Sequence, residues 1–158
     1  MFRILTRKKQ KMTEKECIEV LANEKRGVLA VNGDDGYPYA MPMNHFYNES
    51  DGCIYFHCGK KGYRADCLER SNKVSFCVYD NGYRSNGQWA LNVKSVIVFG
   101  TMEHVYDEDM IRDITYRLSL KFTGDEQYIE NEIKQSIKAT VLLKLNVQNM
   151  CGKLVNES

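Results

Sequence analysis

From Arg26 to Tyr106 the apolar residues recur mainly at every second position, in short runs separated by turn-forming residues. That period is the signature of strands with one buried face. The runs are Arg26–Asn32 (RGVLAVN), Tyr37–Tyr47 (YPYAMPMNHFY), Cys53–His57 (CIYFH), Lys73–Tyr79 (KVSFCVY) and Trp89–Tyr106, the last a long strand or a bent pair. Gly33-Asp34-Asp35-Gly36 and Ser50-Asp51-Gly52 supply turns, because glycine and aspartate tolerate left-handed backbone. Pro38 and Pro42 confine the second run to irregular or edge pairing. Pro42 and Met43 either interrupt that strand ahead of Asn44, freeing backbone groups that could bond a flat heterocycle, or mark an edge strand protected by proline, the reading the segment favours by itself.

Helices lie around these strands rather than between them. Thr13 and Glu16 form a capping box ahead of a stripe at Cys17, Ile18, Leu21 and Ala22. Gly27 soon after suits the stop of that helix. Residues 63–70 read as a short helix. Asp107 caps a stripe at Met110, Ile111, Ile114 and Leu118, and Ile129, Ile133 and Ile137 repeat at four-residue spacing. A final strand spans Ala139–Val147. Several hairpins without regular strand–helix–strand alternation predict a mainly β, α+β fold: an antiparallel barrel with peripheral helices.

The 158 residues suit one domain over 1–158 with one core. A net charge of +1 argues against a nucleic-acid protein. No apolar run approaches 18 residues, so no membrane span is expected. Six cysteines (17, 53, 58, 67, 77, 151) lack any Cys-x-x-Cys pair and follow no apolar leader, so they read as reduced thiols of a cytoplasmic protein. The basic residues Arg3, Arg7, Lys8, Lys9 and Lys11 read as a solvated arm in preference to a nucleic-acid or lipid contact. Phosphate-binding loops of the G-x-x-x-x-G-K-[ST] type, dinucleotide G-x-G-x-x-G turns and H-E-x-x-H zinc sites are absent. His45, His57 and His104 stand far apart, and no metal site is expected.

The chemistry concentrates in Ile54–Leu68 (IYFHCGKKGYRADCL). A strand ends at His57, a loop with two glycines and two lysines follows, and Arg64 opens a helix. Glycine allows close approach of backbone to a ligand, and Lys60, Lys61 and Arg64 sit where helix amides also favour anions. That composition suits a phosphate. A solvated hairpin fits the charges equally well. In Val93–Gly100 (VKSVIVFG), Lys94 and Ser95 are polar positions in a strand otherwise made for burial, and either complete a ligand contact or face water.

Three segments in this order resemble one family. Gly36-Tyr37-Pro38-Tyr39-Ala40-Met41-Pro42, Tyr55-Phe56-His57 with Gly62-Tyr63-Arg64, and Ser95-Val96-Ile97-Val98-Phe99-Gly100 are similar to motifs of the pyridoxamine 5′-phosphate oxidase-like split-barrel flavoproteins. The nearest branch holds the 5-nitroimidazole-resistance (Nim-type) proteins, and the likeness runs over roughly residues 1–153. The resemblance implies a six-stranded antiparallel split β-barrel of Greek-key type. It implies a homodimer with flavin sites at the interface, holding FMN, with FAD open. By position, Met43 and Asn44 would flank the flavin ring, and Phe56 and His57 would lie beside it. Lys61, Gly62 and Arg64 would hold the phosphate, with Lys94, Ser95 and Val96 nearby. Met150-Cys151-Gly152-Lys153 resembles the family's tail but lacks its aromatic residues. Arg64 stands where lysine is commoner, which exchanges a point charge for a fork. The arginine and tryptophan pattern of vitamin B6 oxidases is missing.

The implied activity is an FMN-dependent oxidoreductase acting on nitroimidazoles or similar electron-poor aromatics. His57 is the expected proton donor or substrate contact, since a histidine titrates near neutrality. A flavin- or haem-binding protein without turnover, and a B6-phosphate binder, share the same loop.

Overall fold

The computed structural model describes residues 1–158. Thr13 accepts a hydrogen bond from the Glu16 amide, and the Glu16 carboxylate accepts one from the Thr13 amide. This capping box opens α1 (Glu14–Asn23), which buries Cys17, Val20 and Leu21. Strand β1 (Arg26–Asn32) follows directly, with Gly27 inside it. Its turn into β2 (Pro38–Asn44) uses left-handed backbone at Asp35 (φ 53°) and Gly36 (φ 79°), as the sequence predicts.

The long second run divides. β2 pairs with β1 along its whole length, including Val28↔Pro42 and Gly27↔Met43, so no break falls at Pro42 and Met43. The break falls at His45. Its ring turns into the core, where Nε2 lies 2.8 Å from the Leu21 carbonyl, and its amide bonds Lys25 rather than continuing the ladder. Past it, β3 (Phe46–Asn48) pairs instead with β4 (Cys53–Gly59). The sheet therefore has seven strands and not six.

The remaining elements are α2 (Tyr63–Arg70), β5 (Lys73–Tyr79), β6 (Asn92–Val105), α3 (Glu108–Leu120), α4 (Glu126–Ser136) with a 3₁₀ turn (Ile137–Ala139), and β7 (Thr140–Asn156). All seven strands form one antiparallel sheet in the order β2-β1-β5-β6-β7-β4-β3. No ladder joins β2 to β4, so the sheet curls into a half-barrel without closing. β7 runs nine residues beyond the expected Val147, because Asn149–Asn156 continue the ladder with β6 past a bulge at Phe99/Gly100. A Cβ at Gly100 would lie 2.1 Å from the Asn146 carbonyl oxygen, so that crossing admits only glycine.

The concave side holds the main core: Leu21, Leu29, Ile54, Phe56, Phe76, Val98, Leu143 and Leu145 are fully or almost fully buried. β4 is buried on both faces. Ile54 and Phe56 enter that core, while Cys53 and Tyr55 enter a smaller cluster with Ile114 and Leu142 beneath α3. Double burial explains why CIYF reads as a continuous apolar run. No helix is long and apolar enough to cross a membrane. All six cysteines are free thiols.

Candidate functional site

The end of β4 departs from a packed strand. Alternation places His57 on the face of Tyr55, toward the helices, where it is half-buried. Burial holds its pKa below the ordinary 6.5, so the ring is neutral at pH 7. After Gly59 the chain turns through Gly62, whose φ of 121° suits a residue without a side chain. Gly62 caps α2, and its carbonyl accepts from the Ala65 and Asp66 amides at 2.8 and 3.2 Å. No side chain caps this end, so the first helix amides stay free for a ligand.

The cations differ in what they do. Arg64 donates from Nη2 to the Gly59 carbonyl (3.0 Å), while its buried Nε has no partner. Lys60 is engaged by the Lys138 carbonyl (2.7 Å), and Lys61 is exposed. One acid, Asp66, shares the first turn. Side chains at Gly59 or Gly62 would meet nothing within 4 Å, so the loop is open on the side a ligand needs. An orphaned guanidinium nitrogen, free helix amides and open glycines fit an anionic phosphate.

α2 is held firmly. The Tyr63 hydroxyl accepts from the Asp34 amide (2.6 Å), its ring packs on Tyr39 (4.7 Å between centroids), and Arg70 pairs with the Asp34 carboxylate. The turn before β2 thus fixes both ends of the helix that carries Arg64.

Asn44 and His57 come together. They line one cavity of about 250 Å³ with Phe122, Thr123, Tyr128 and Glu132, between the sheet and the α3–α4 pair. His57 also borders a second cavity of about 280 Å³, with Gly59, Ser136 and Thr140. The site combines a histidine, a side-chain amide, two aromatic walls and an adjacent phosphate loop.

Other expected contacts fall elsewhere. Phe56 is fully buried, its ring edge-on to Phe76 at 5.0 Å, and offers no side-chain surface to a ligand. Met43 points inward against the core, and Val96 is fully buried. Lys94, Ser95 and Val96 do not approach the phosphate loop of their own chain. His57 is level with Leu142 and through it with Val105, and Val96 lies nine residues away along β6, about 30 Å of strand. The Lys94 amide is occupied by Asp80 (2.9 Å). Sequence reading missed Phe122, Tyr128 and Ser136. Tyr128 carried the one usable signal, an aromatic lying off the Ile129–Ile133 stripe of its helix.

Comparisons with known proteins agree with this fold. The family model for pyridoxamine 5′-phosphate oxidase matches residues 13–154. A candidate 5-nitroimidazole antibiotic resistance protein of Bacteroides thetaiotaomicron VPI-5482 superimposes with a TM-score of 0.75 at 18% identity, over 92% of this chain and 87% of its own. An FAD- and haem-binding protein of Mycobacterium smegmatis gives 0.72 at 21%, over 95% and 74%. An FAD-binding protein of Mesorhizobium loti gives 0.67 at 19%, over 92% and 97%. At these identities the likeness is one of fold. No curated protein matches the sequence.

Proposed function

The chain belongs to the pyridoxamine 5′-phosphate oxidase family, and on that premise we propose that it is a flavin-dependent oxidoreductase acting on small electron-poor aromatic compounds such as nitroimidazoles. The observation that carries this reading is the junction at the end of β4. There His57 shares one cavity with Asn44 and a second with Gly59, whose carbonyl accepts from Arg64, and the loop from Gly59 leads to an unpartnered Arg64 nitrogen and uncapped helix amides. Flavin-binding relatives of the same fold support it.

A bound flavin supplies the electron transfer that no side chain here can perform. The residues of this chain bind, orient and protonate. Arg64 and the first amides of α2 hold the phosphate of the FMN portion, with Lys61 adding charge and Gly62 permitting the approach. The Asn44 amide offers both donors and an acceptor to the edge of a flat heterocycle. Phe122 and Tyr128 give an aromatic substrate its walls and exclude water. His57, in its protonated form, delivers a proton from a ring N–H to the reduced substrate. Fork geometry at Arg64 suits a phosphate at least as well as lysine does.

The working unit of this reading is a homodimer. The convex face carries a row in register across five strands, Pro42–Val28–Cys77–Ile97–Cys151, with Phe99 beside it. Val28, Ile97 and Phe99 are 37%, 39% and 40% exposed, and no helix covers them. A second copy on this face would bury the row. Sedimentation velocity tests this: Ile97→Glu is expected to give a monomer and wild type a dimer, and a wild-type monomer at micromolar concentration contradicts it.

The activity test is direct. Flavin on the protein is reduced anaerobically, and a nitroimidazole is added. Reoxidation of the flavin supports the oxidoreductase. A flavin that stays reduced identifies a carrier instead.

A further inference from the structure

We propose that Glu132 selects the substrate, so that the cavity at Asn44 and His57 takes an aromatic ring bearing a cationic amine and turns away one bearing a carboxylate. The inference rests on the oxidoreductase reading above and names the substrate class of that site.

The cavity of about 250 Å³ suits one ring with a short substituent, since pockets for drug-sized ligands begin at about 300 Å³. Leu118, Phe122 and Ile129 make its apolar part. Its hydroxyls are engaged locally: Ser119 donates to the Thr115 carbonyl (2.8 Å), and Thr123 accepts from the Asp125 amide (3.1 Å). Asn44 is neutral, and burial leaves His57 uncharged at pH 7. Glu132 therefore carries the one formal charge in the lining.

Nothing in the chain compensates that charge. The ion pairs are Arg70–Asp34, Arg117–Asp113 and Lys144–Glu103, and the Glu132 carboxylate belongs to none of them. On α4 the residues three and four positions away are Tyr128, Ile129, Gln135 and Ser136, and no cation is among them. Lys25 and Arg26 lie over the Phe122 ring, each 5.6 Å from its centroid. Lys121 donates to the Glu24 and His45 carbonyls at 2.6 and 3.1 Å. None of these three cations lines the cavity.

Tyr128 and Glu132 are one helical turn apart on the same face of α4, about 5–6 Å between Cβ atoms. A ring resting on Tyr128 therefore holds an amine on a short arm within reach of the carboxylate, and the Tyr128 ring itself favours a cation. The opposite end of the site has the opposite preference. Beyond His57 lies the loop of Lys61 and Arg64, which suits an anion. An anionic substrate would be drawn to the place of the flavin phosphate, whereas a cationic one is sorted toward Glu132.

The test uses flavin-loaded protein and three compounds of one shape: 4-nitrobenzylamine, 4-nitrobenzyl alcohol and 4-nitrobenzoate. Binding to the oxidised protein is measured by titration calorimetry, and turnover by anaerobic reoxidation of the reduced flavin. The amine is expected to bind about fivefold more tightly than the alcohol, the upper range for a partly exposed ion pair, and the benzoate more weakly than both. The preference is expected to shrink in about 0.5 M salt. Glu132→Gln is expected to abolish the difference between amine and alcohol, and Glu132→Lys to invert the order in favour of the benzoate. Glu130→Gln removes the same charge from the other side of α4 and is expected to leave the order intact. Glu132 is exposed, so its variants are expected to keep the wild-type melting temperature. Equal affinity for the three compounds, or a preference that survives Glu132→Gln, overturns the selection by Glu132 even where the flavin is reoxidised. A preference in binding with no reoxidation by any compound overturns the oxidoreductase reading and upholds the cation site.

Discussion

His45 and His57 lie twelve residues apart and do opposite things. His45 is fully buried where β2 gives way to β3. Its Nε2 meets the Leu21 carbonyl at 2.8 Å, its ring is edge-on to Phe76 at 5.0 Å, and the Lys121 ammonium donates to its carbonyl at 3.1 Å. Desolvation, helped by the Lys121 charge, pushes its pKa down to about 4. His57 has no protein hydrogen-bond partner and faces a cavity on one side, and burial alone lowers its pKa. One histidine closes the core and turns the chain. The other is left for a ligand. Function follows from access to a cavity, not from the residue type: His45 also has an unpartnered ring nitrogen, Nδ1, but it is sealed in the core.

The comparison can be broken from the core outward. Phe76→Ala removes the ring against which both Phe56 and His45 pack. It is expected to cost about 3–5 kcal/mol in denaturant unfolding, as large-to-small changes of buried aromatics do. A loss below about 1 kcal/mol would mean that this wall is not the centre of the core.

The next effect is acid sensitivity through His45. Its folded pKa of about 4 lies below the unfolded 6.5, so below pH 6.5 the unfolded chain binds the proton first. Stability is therefore complete above pH 6.5 and falls toward pH 4, by up to about 3 kcal/mol. His45→Gln is expected to flatten that slope. An unchanged slope would assign the acid transition to other groups. His57→Gln, by contrast, is expected to leave the melting temperature within about 2 °C and to slow nitro reduction about a hundredfold. Wild-type turnover is expected to rise as pH falls through a value below 6.5, and the variant should lose that limb. Equal loss of stability in both histidine variants would erase the distinction. The smallest effect is Thr13→Ala, about 1 kcal/mol from the capping box, with no change in flavin affinity.

Much of this was legible in the sequence because it is local. The Thr13 cap, the Asp34–Gly36 turn and the boundaries of α2 depend on residues within a few positions of each other, and the structure places them as read. The position of the glycine–lysine–arginine loop after β4 was legible for the same reason. The division at His45 was not, because it is decided by Leu21, Lys25 and Phe76, which come from α1, from the residue before β1 and from β5. The seventh strand follows from that division. The separation of Lys94–Val96 from His57 needs the β6–β7 register, and a bulge at Gly100 resets it. The walls at Phe122, in the turn after α3, and Tyr128, in α4, lie far along the chain and became neighbours of Asn44 only on folding. Burial of Phe56 but not His57 was written in the strand period, yet both faces of β4 being covered hid which side would open.

The central claim is that the loop from Gly59 to Arg64 holds a flavin phosphate. Its most direct test is flavin binding by the purified protein, followed by visible absorbance and fluorescence quenching, for wild type, Arg64→Ala and Lys9→Ala. Wild type and Lys9→Ala are expected to bind equally, and Arg64→Ala to lose about 10- to 100-fold in affinity, the scale of a charge-assisted contact. Equal affinity in all three proteins, or a wild type that stays colourless with added flavin, would contradict it.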